Sequence, residues 1–290
     1  MKKIRILINP IAGHGLAPRI ATLVDKSGLA DSYEVETLYT EYAGHARELA
    51  ADAVKNNYAA VVAVGGDGTV NEVGSSLKNS ETALAIIPAG SGNGLARHLG
   101  VKLKPLEALK QIANAKTDYL DYLLINNRFS VNVSGFGFDG YVAWLFNNSG
   151  KRGLSNYTKI ALQEYARYKT AQFEIEMQGQ QKSWSGHMLV IANASQFGNA
   201  AIIAPQADLK DGKADLVCVQ KPAALQLPGM FIRLFTGKLQ DTDYLKNFVC
   251  EEFTAKASRP LHLHIDGEAS DPISEIHVKV VSKSLKILVP

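Results

Sequence analysis

Along the first third of the chain, short apolar runs alternate with stretches whose apolar residues recur every three or four positions. Residues 4–8, 33–38, 61–64 and 83–87 read as strands. Between them, Ala46, Leu49, Ala50, Ala53 and Val54 fall at i, i+3, i+4, i+7 and i+8, one face of a helix. Leu106, Leu109 and Ala113 mark another helix, entered at Pro105. Strands alternating with helices predict a mostly parallel sheet covered on both sides, with ligands beyond the C-terminal strand ends. From about Asp121 the texture changes. Residues 122–125, 129–133, 173–177, 188–192, 214–219, 261–265, 276–281 and 285–289 read as strands, and one helical stretch covers about 156–170. The expected fold is α/β plus all-β: an α/β domain over 1–121 and an antiparallel β-sandwich over 122–290.

The composition fits that plan. The chain has 290 residues, 46% hydrophobic and 20% charged, enough for two cores. A net charge of +3 leans toward anionic ligands or membrane surfaces and falls short of a nucleic-acid binder. Cys218 and Cys250 are far apart without metal-ligand spacing, and read as buried free thiols of a cytoplasmic protein. Met1-Lys2-Lys3 before Ile4 looks like a signal peptide, but Arg5 interrupts the apolar run and Asn9-Pro10 ends it. The expectation is a cytoplasmic protein, soluble or peripheral to a membrane.

Three glycine-bearing loops leave strands at the same predicted edge: Asn9-Pro10-Ile11-Ala12-Gly13-His14-Gly15, Gly65-Gly66-Asp67-Gly68-Thr69, and Pro88-Ala89-Gly90-Ser91-Gly92-Asn93-Gly94. Glycine lets backbone approach a ligand, and amide hydrogens at a helix start bind phosphate. Asp67 would repel phosphate unless a cation intervenes, which suggests a metal–nucleotide site. Asp266-Gly267-Glu268 offers two carboxylates for general base work; if extended, both point the same way. An Asp-Gly turn in solvent is the competing reading. Residues 225–239 are apolar with Arg233 and Lys238, suited to a membrane surface or to a core-facing helix.

Gly65-Gly66-Asp67-Gly68-Thr69-Val70-Asn71-Glu72-Val73, with Asn9-Pro10 before it and Pro88-x-Gly-Ser-Gly-Asn after it, resembles the diacylglycerol kinase catalytic-domain family. That family includes bacterial soluble lipid kinases and the sphingosine and ceramide kinases. The resemblance continues through Gly135-x-Gly137-Phe138-Asp139, Ala204-Pro205-x-Ala207, Asp211-Gly212 and Ile265-Asp266-Gly267-Glu268. It implies a domain of the NAD kinase/diacylglycerol kinase type, with ATP held between it and the β-sandwich, and Mg²⁺-dependent phosphorylation of a lipid hydroxyl at a membrane surface. Asn9, Pro10, Ile11, Ala12, Gly13, Thr40, Gly66, Asp67, Gly68, Thr69, Val70, Asn71, Glu72 and Ser91 would hold the nucleotide, with Asp67 acting through Mg²⁺. Glu268 or Asp266 would be the base, although the sphingosine branch gives that role to the acid matching Asp67. Asp208, Asp211 and Lys213 would form a structural Mg²⁺ loop, the Asp211 carboxylate joined by backbone carbonyls at 208 and 213. Asp139 would lie near the lipid head group, and Arg152, beside Lys151, could reach ATP phosphates. Gly94 departs from the Asp that many bacterial diacylglycerol kinases carry there, and leaves the acceptor lipid open between diacylglycerol-like and sphingoid. An NAD kinase-like enzyme shares the Gly-Gly-Asp-Gly-Thr loop but fits the 88–93 and 265–268 segments poorly. A catalytically inactive nucleotide- or lipid-binding protein is the other alternative. An exposed edge strand of the second domain could pair two copies across a two-fold axis.

Overall fold

The computed structural model describes every residue except His14, Lys151 and Arg152, so the expected Arg152–phosphate contact lies outside the described residues. The chain forms two units, 1–120 with 283–290, and 121–282. In the first, β1 (Lys2–Ile8) is followed by α1 (Ile20–Asp25), α2 (Leu29–Ser32), β2 (Tyr33–Tyr39) and α3 (His45–Lys55). Then come β3 (Ala60–Gly65), α4 (Asp67–Leu77), β4 (Ala83–Pro88), α5 (Gly94–His98), α6 (Pro105–Ala113) and β5 (Lys116–Ile125), which runs on into the second unit.

The strands lie in the order β2-β1-β3-β4, all parallel. β3 is buried along its whole length, as a central parallel strand covered on both faces should be. Ile4, Ile6 and Ile8 point into a cluster with Ile20, Val24, Leu29, Leu109 and Ile112 of α1, α2 and α6. Arg5 points the opposite way, since side chains alternate along a strand. There its guanidinium donates to Leu49 O at 2.8 Å, Asp52 Oδ2 at 2.7 Å and Glu36 Oε2 at 2.5 Å. Burial alone would raise the Glu36 carboxyl, but hydrogen bonds from Arg5 and Tyr58 hold it below its usual range.

The second unit begins with β6 (Arg128–Ser130), β7 (Val133–Gly137), α7 (Phe138–Asn148), α8 (Leu154–Tyr165), β8 (Ala171–Met177), β9 (Gln180–Gly186), β10 (Met188–Ala192) and β11 (Ala214–Val219). It continues with α9 (Leu227–Thr236), β12 (Leu245–Cys250), β13 (Glu252–Leu261), β14 (Leu263–Ile265), β15 (Glu268–Ala269) and β16 (Ile273–Val289). One antiparallel sheet has the order β16-β13-β8-β9, and the other β12-β11-β10-β7-β14-β15. Phe173, Ile175, Phe253 and Ile276 of the first sheet meet Phe136, Leu189, Ile191 and Leu216 of the second in one core. Cys218 and Cys250 are buried free thiols, and burial pushes them up to about 12 and about 11.

Two expectations from the sequence differ from the structure. Residues 283–290, expected in the β domain, cluster with the first unit: β16 continues past the sandwich, and Ile287 pairs with Leu84 in parallel. The strand expected at 129–133 is two strands, broken where Asp266 takes the amides of Val131 and Asn132. The Gly135–Gly140 stretch joins β7 to α7, and β7 runs antiparallel to both neighbours, unlike the strand of a dinucleotide-binding unit.

Phe136 is fully buried and meets Phe173 edge-on at 5.9 Å. Phe136→Ala is expected to destabilise the second unit by about 3–5 kcal/mol, read as a lower denaturant midpoint with an unchanged slope. An unchanged midpoint would mean that these two sheets do not share a core.

Candidate functional site

Because β1, β2, β3 and β4 are parallel and in register, the segments leaving them at Asn9, Thr40, Gly66 and Ala89 all emerge at one edge of the sheet. Asn9 ties the first loop to the second: its Nδ2 donates to Thr69 Oγ1 at 3.4 Å, and its Oδ1 accepts the Ile11 N–H at 3.1 Å. Thr40 is held at the same edge by its N–H to Ile8 O at 2.9 Å. Glu72, on α4, accepts the Gly44 N–H at 2.9 Å and so anchors the turn that starts α3.

The second and third loops touch through bare backbone. A Cβ on Gly90 would lie 2.4 Å from the Gly66 Cα, so no side chain fits there. Asp67 closes the contact. Its Oδ2 accepts the Asn93 N–H at 2.9 Å and its Oδ1 the Gly94 N–H at 2.7 Å, at the start of α5. Asn93, in the left-handed region at φ 54°, folds its side chain back on Gly90: Oδ1 accepts the Gly90 N–H at 2.9 Å, and Nδ2 donates to Gly90 O at 2.8 Å. No side chain caps α4, so the amides of its first turn remain directed at the loop edge, a setting for an anion. Pro10, Ile11 and Ser91 are exposed there, and Ala12, Gly13, Asp67 and Gly68 are half-buried. Val70 and Asn71 are buried, so Val70 offers a ligand at most its backbone.

In the second unit, Asp139 stands in the first turn of α7 with a partner on each carboxylate oxygen. Tyr157 donates its hydroxyl to Oδ1 at 2.6 Å, and His264 Nε2 lies 2.8 Å from Oδ2. The Gly267 N–H donates to His264 Nδ1 at 3.1 Å, which fixes the proton of His264 on Nε2, facing Asp139. Burial alone would raise the Asp139 carboxyl, but the adjacent His264 and the hydrogen bonds from His264 and Tyr157 hold it below the usual carboxylate range. Gly135 makes room for the pair, since a Cβ there would lie 2.3 Å from Asp139 Oδ2.

The Asp266–Glu268 segment is not extended, which overturns the expectation that its two acids point together. Asp266 and Gly267 have φ of 49° and 92° and form a two-residue hairpin turn between β14 and β15. Asp266 turns inward and is buried, its Oδ1 accepting Ser130 Oγ at 2.7 Å and the Asn132 N–H at 3.1 Å, its Oδ2 the Val131 N–H at 2.9 Å. Glu268, across the turn, is exposed.

Asp208 and Asp211 lie on an exposed loop, where each carboxylate accepts the amide two residues on, that of Lys210 at 3.0 Å and of Lys213 at 2.9 Å. The oxygen chemistry suits a hard cation. No group of three metal-ligating side chains gathers among the described residues, so backbone carbonyls or waters would have to complete any such site. Sequence reasoning missed His264 and Tyr157. His264 sits two residues before Asp266, on the same side of the strand pattern, but nothing in its spacing pointed to Asp139.

A family model described as the diacylglycerol kinase catalytic domain matches residues 3–125, and one described as the YegS C-terminal NAD kinase beta sandwich-like domain matches residues 132–289. A diacylglycerol kinase of Mycobacterium tuberculosis is 27% identical over 99% of this chain and 95% of its own length. One of Bacillus subtilis is 25% identical over 92% and 90%. A crystal structure of a diacylglycerol kinase from Bacillus anthracis superposes with a TM-score of 0.80 at 19% identity, covering 100% of this chain and 97% of that one, which establishes the fold.

Asp67→Ala is expected to leave the Asn93 and Gly94 amides without their acceptor and to raise amide hydrogen exchange across residues 93–95 roughly tenfold or more. Unchanged protection would show that the third loop holds itself. Asp139→Asn is expected to cost about 1–3 kcal/mol at neutral pH. Because the folded carboxyl titrates below its unfolded value, wild-type stability from this group is full above the ordinary carboxylate range and lost as pH falls through the folded value. The gap between variant and wild type should therefore narrow on acidification, which a pH series of melting curves reads.

Proposed function

The chain belongs to the diacylglycerol kinase catalytic-domain family, with a YegS-like second domain, and from that premise we propose a lipid kinase that moves the γ-phosphoryl group of ATP to a lipid hydroxyl. The observation that carries this reading is the single edge where three glycine loops meet, cross-linked by Asp67, beside the uncapped start of α4. Phosphoryl transfer requires positioning and charge neutralisation more than covalent chemistry. Backbone amides of 66–69 and the Asn9–Gly13 turn cradle the phosphates, while Thr40 and Ser91 contribute hydroxyls at the same edge.

Mg²⁺, if bound, would supply neutralisation of the phosphate charge. Asp67 is the residue to hold it. Its two oxygens accept the Asn93 and Gly94 amides, which aim an anionic, hard-oxygen ligand of the kind Mg²⁺ prefers at the loop edge. The amides also temper the repulsion between this carboxylate and phosphate.

Glu268 is the proposed general base, taking the proton of the acceptor hydroxyl as attack proceeds. Asp266 is its positioning residue, because three donors already hold the Asp266 carboxylate inside the turn. Asp139 acts one step further back: it orients His264, whose Nδ1 accepts the amide just before Glu268. This moves Asp139 from a head-group contact to support of the turn. The acceptor reading is a diacylglycerol-like lipid, by kinship with the named diacylglycerol kinases, met by a cytoplasmic enzyme that visits the membrane surface.

Radiolabelled ATP with Mg²⁺ and mixed micelles of diacylglycerol, monoacylglycerol, sphingosine or ceramide, with NAD as a control, tests this. One labelled lipid is expected, and label only in NAD would refute it. Glu268→Gln should lower kcat roughly 10²–10⁴-fold with nucleotide affinity unchanged. A Glu268→Gln enzyme of wild-type kcat would remove Glu268 from the chemistry.

A further inference from the structure

Helix α9 carries two apolar faces, and only one of them is covered. Met230 and Leu234, one turn apart, pack against the cluster of Val190, Val217 and Leu239. At 3.6 residues per turn, Pro228, Phe231, Ile232 and Phe235 occupy a separate arc of about 100°. On that arc Phe231, Ile232 and Phe235 are 40%, 66% and 39% exposed, and Leu225 in the preceding turn is 95% exposed. Phe231 and Phe235 stack with ring centres 5.9 Å apart, giving the face a flat apolar edge. No residue of α9 is fully buried. Contiguous apolar surface of this kind marks an interaction site.

The charges select the partner. Between positions 221 and 240 there are three basic residues, Lys221, Arg233 and Lys238, and no acid. Lys221 is spent on the carbonyls of Ala166 and Tyr168, at 3.1 and 3.0 Å. Arg233 and Lys238 meet no acid among the described residues, and the nearest one in sequence, Asp241, pairs with Lys246 at 3.9 Å instead. An open groove of about 340 Å³ beside the helix is lined by Leu225, Gln226, Gly229, Arg233, Thr242 and Tyr244. A guanidinium flanked by amide and hydroxyl donors suits a phosphodiester. A second copy of the same face would bring Arg233 and Lys238 toward like charges across the two-fold axis.

We propose that this face docks the protein on an anionic phospholipid bilayer. Leu225, Phe231, Ile232 and Phe235 enter the acyl boundary, and Arg233 and Lys238 lie at the phosphates. The choice of a bilayer rests on the lipid-kinase reading; the exposed face and its charge do not.

Sedimentation of the full chain with phosphatidylcholine vesicles, with and without phosphatidylglycerol, tests it. Wild type should bind the anionic vesicles and release as salt rises. Ile232→Glu combined with Phe235→Glu should weaken binding about tenfold or more, with circular dichroism unchanged. Val249→Glu, at a 44% exposed residue of β12, should bind like wild type. The double variant should also phosphorylate monomeric dioctanoylglycerol at the wild-type rate while losing rate on vesicle-borne diacylglycerol. Wild type that ignores anionic vesicles, a double variant that binds like wild type, or equal loss in Val249→Glu would each overturn the docking surface. Vesicle binding by wild type with no phosphorylation of any lipid would instead overturn the kinase reading and leave this surface standing.

Discussion

The carboxylate of Asp67, hydrogen-bonded to the amides of Asn93 and Gly94, is the constraint on which the rest of the first unit's edge depends. Parallel strands deliver loops to one side of a sheet but do not hold them in a fixed arrangement. Two charge-assisted hydrogen bonds, each contributing about 1.5–3 kcal/mol, lock the third loop to the second. The bare backbone contact of Gly66 with Gly90 leaves no slack between them. Asn9 then ties the first loop to Thr69, and Glu72 ties in the start of α3. The proposed phosphate site gains from this rigidity, because amides that must be gathered on binding cost affinity.

The second unit solves its own loop problem in the same way. Asp266 spends its charge on the amides of Val131 and Asn132 and the hydroxyl of Ser130, which fixes both the break between β6 and β7 and the hairpin it sits in. Asp139 and His264 fix the other side of that hairpin through Gly267. Two acids separated by one glycine thus have opposite placements: Asp266 is buried and holds the turn, and Glu268, the proposed base, is exposed.

Much of this was legible in the sequence, for a physical reason. Buried parallel strands are unbroken apolar runs, and glycine loops after them are conspicuous, so β1, β3 and β4 and the three loops could be read directly. β13 was not found because the exposed Lys256, Arg259 and Pro260 interrupt the apolar pattern of residues 252–261. α7 was missed because Gly137-Phe138-Asp139-Gly140 spells a loop; the Gly137 and Phe138 amides donate to His262 O and His187 O, distant contacts that no local pattern reveals. The different placement of Asp266 and Glu268 depends on positive φ at two residues, which spacing does not encode. The return of 283–290 to the first unit is a matter of tertiary pairing, invisible to local pattern.

The most direct test of the account is a crystal structure with ADP or a non-hydrolysable ATP analogue and Mg²⁺. Phosphates are expected against the amides of 66–69 and the Asn9–Gly13 turn, with the cation or one of its waters on Asp67 and the Asn93 and Gly94 contacts kept. A nucleotide bound elsewhere, or phosphates at this edge with Asp67 turned away from both third-loop amides and from the metal, would contradict it.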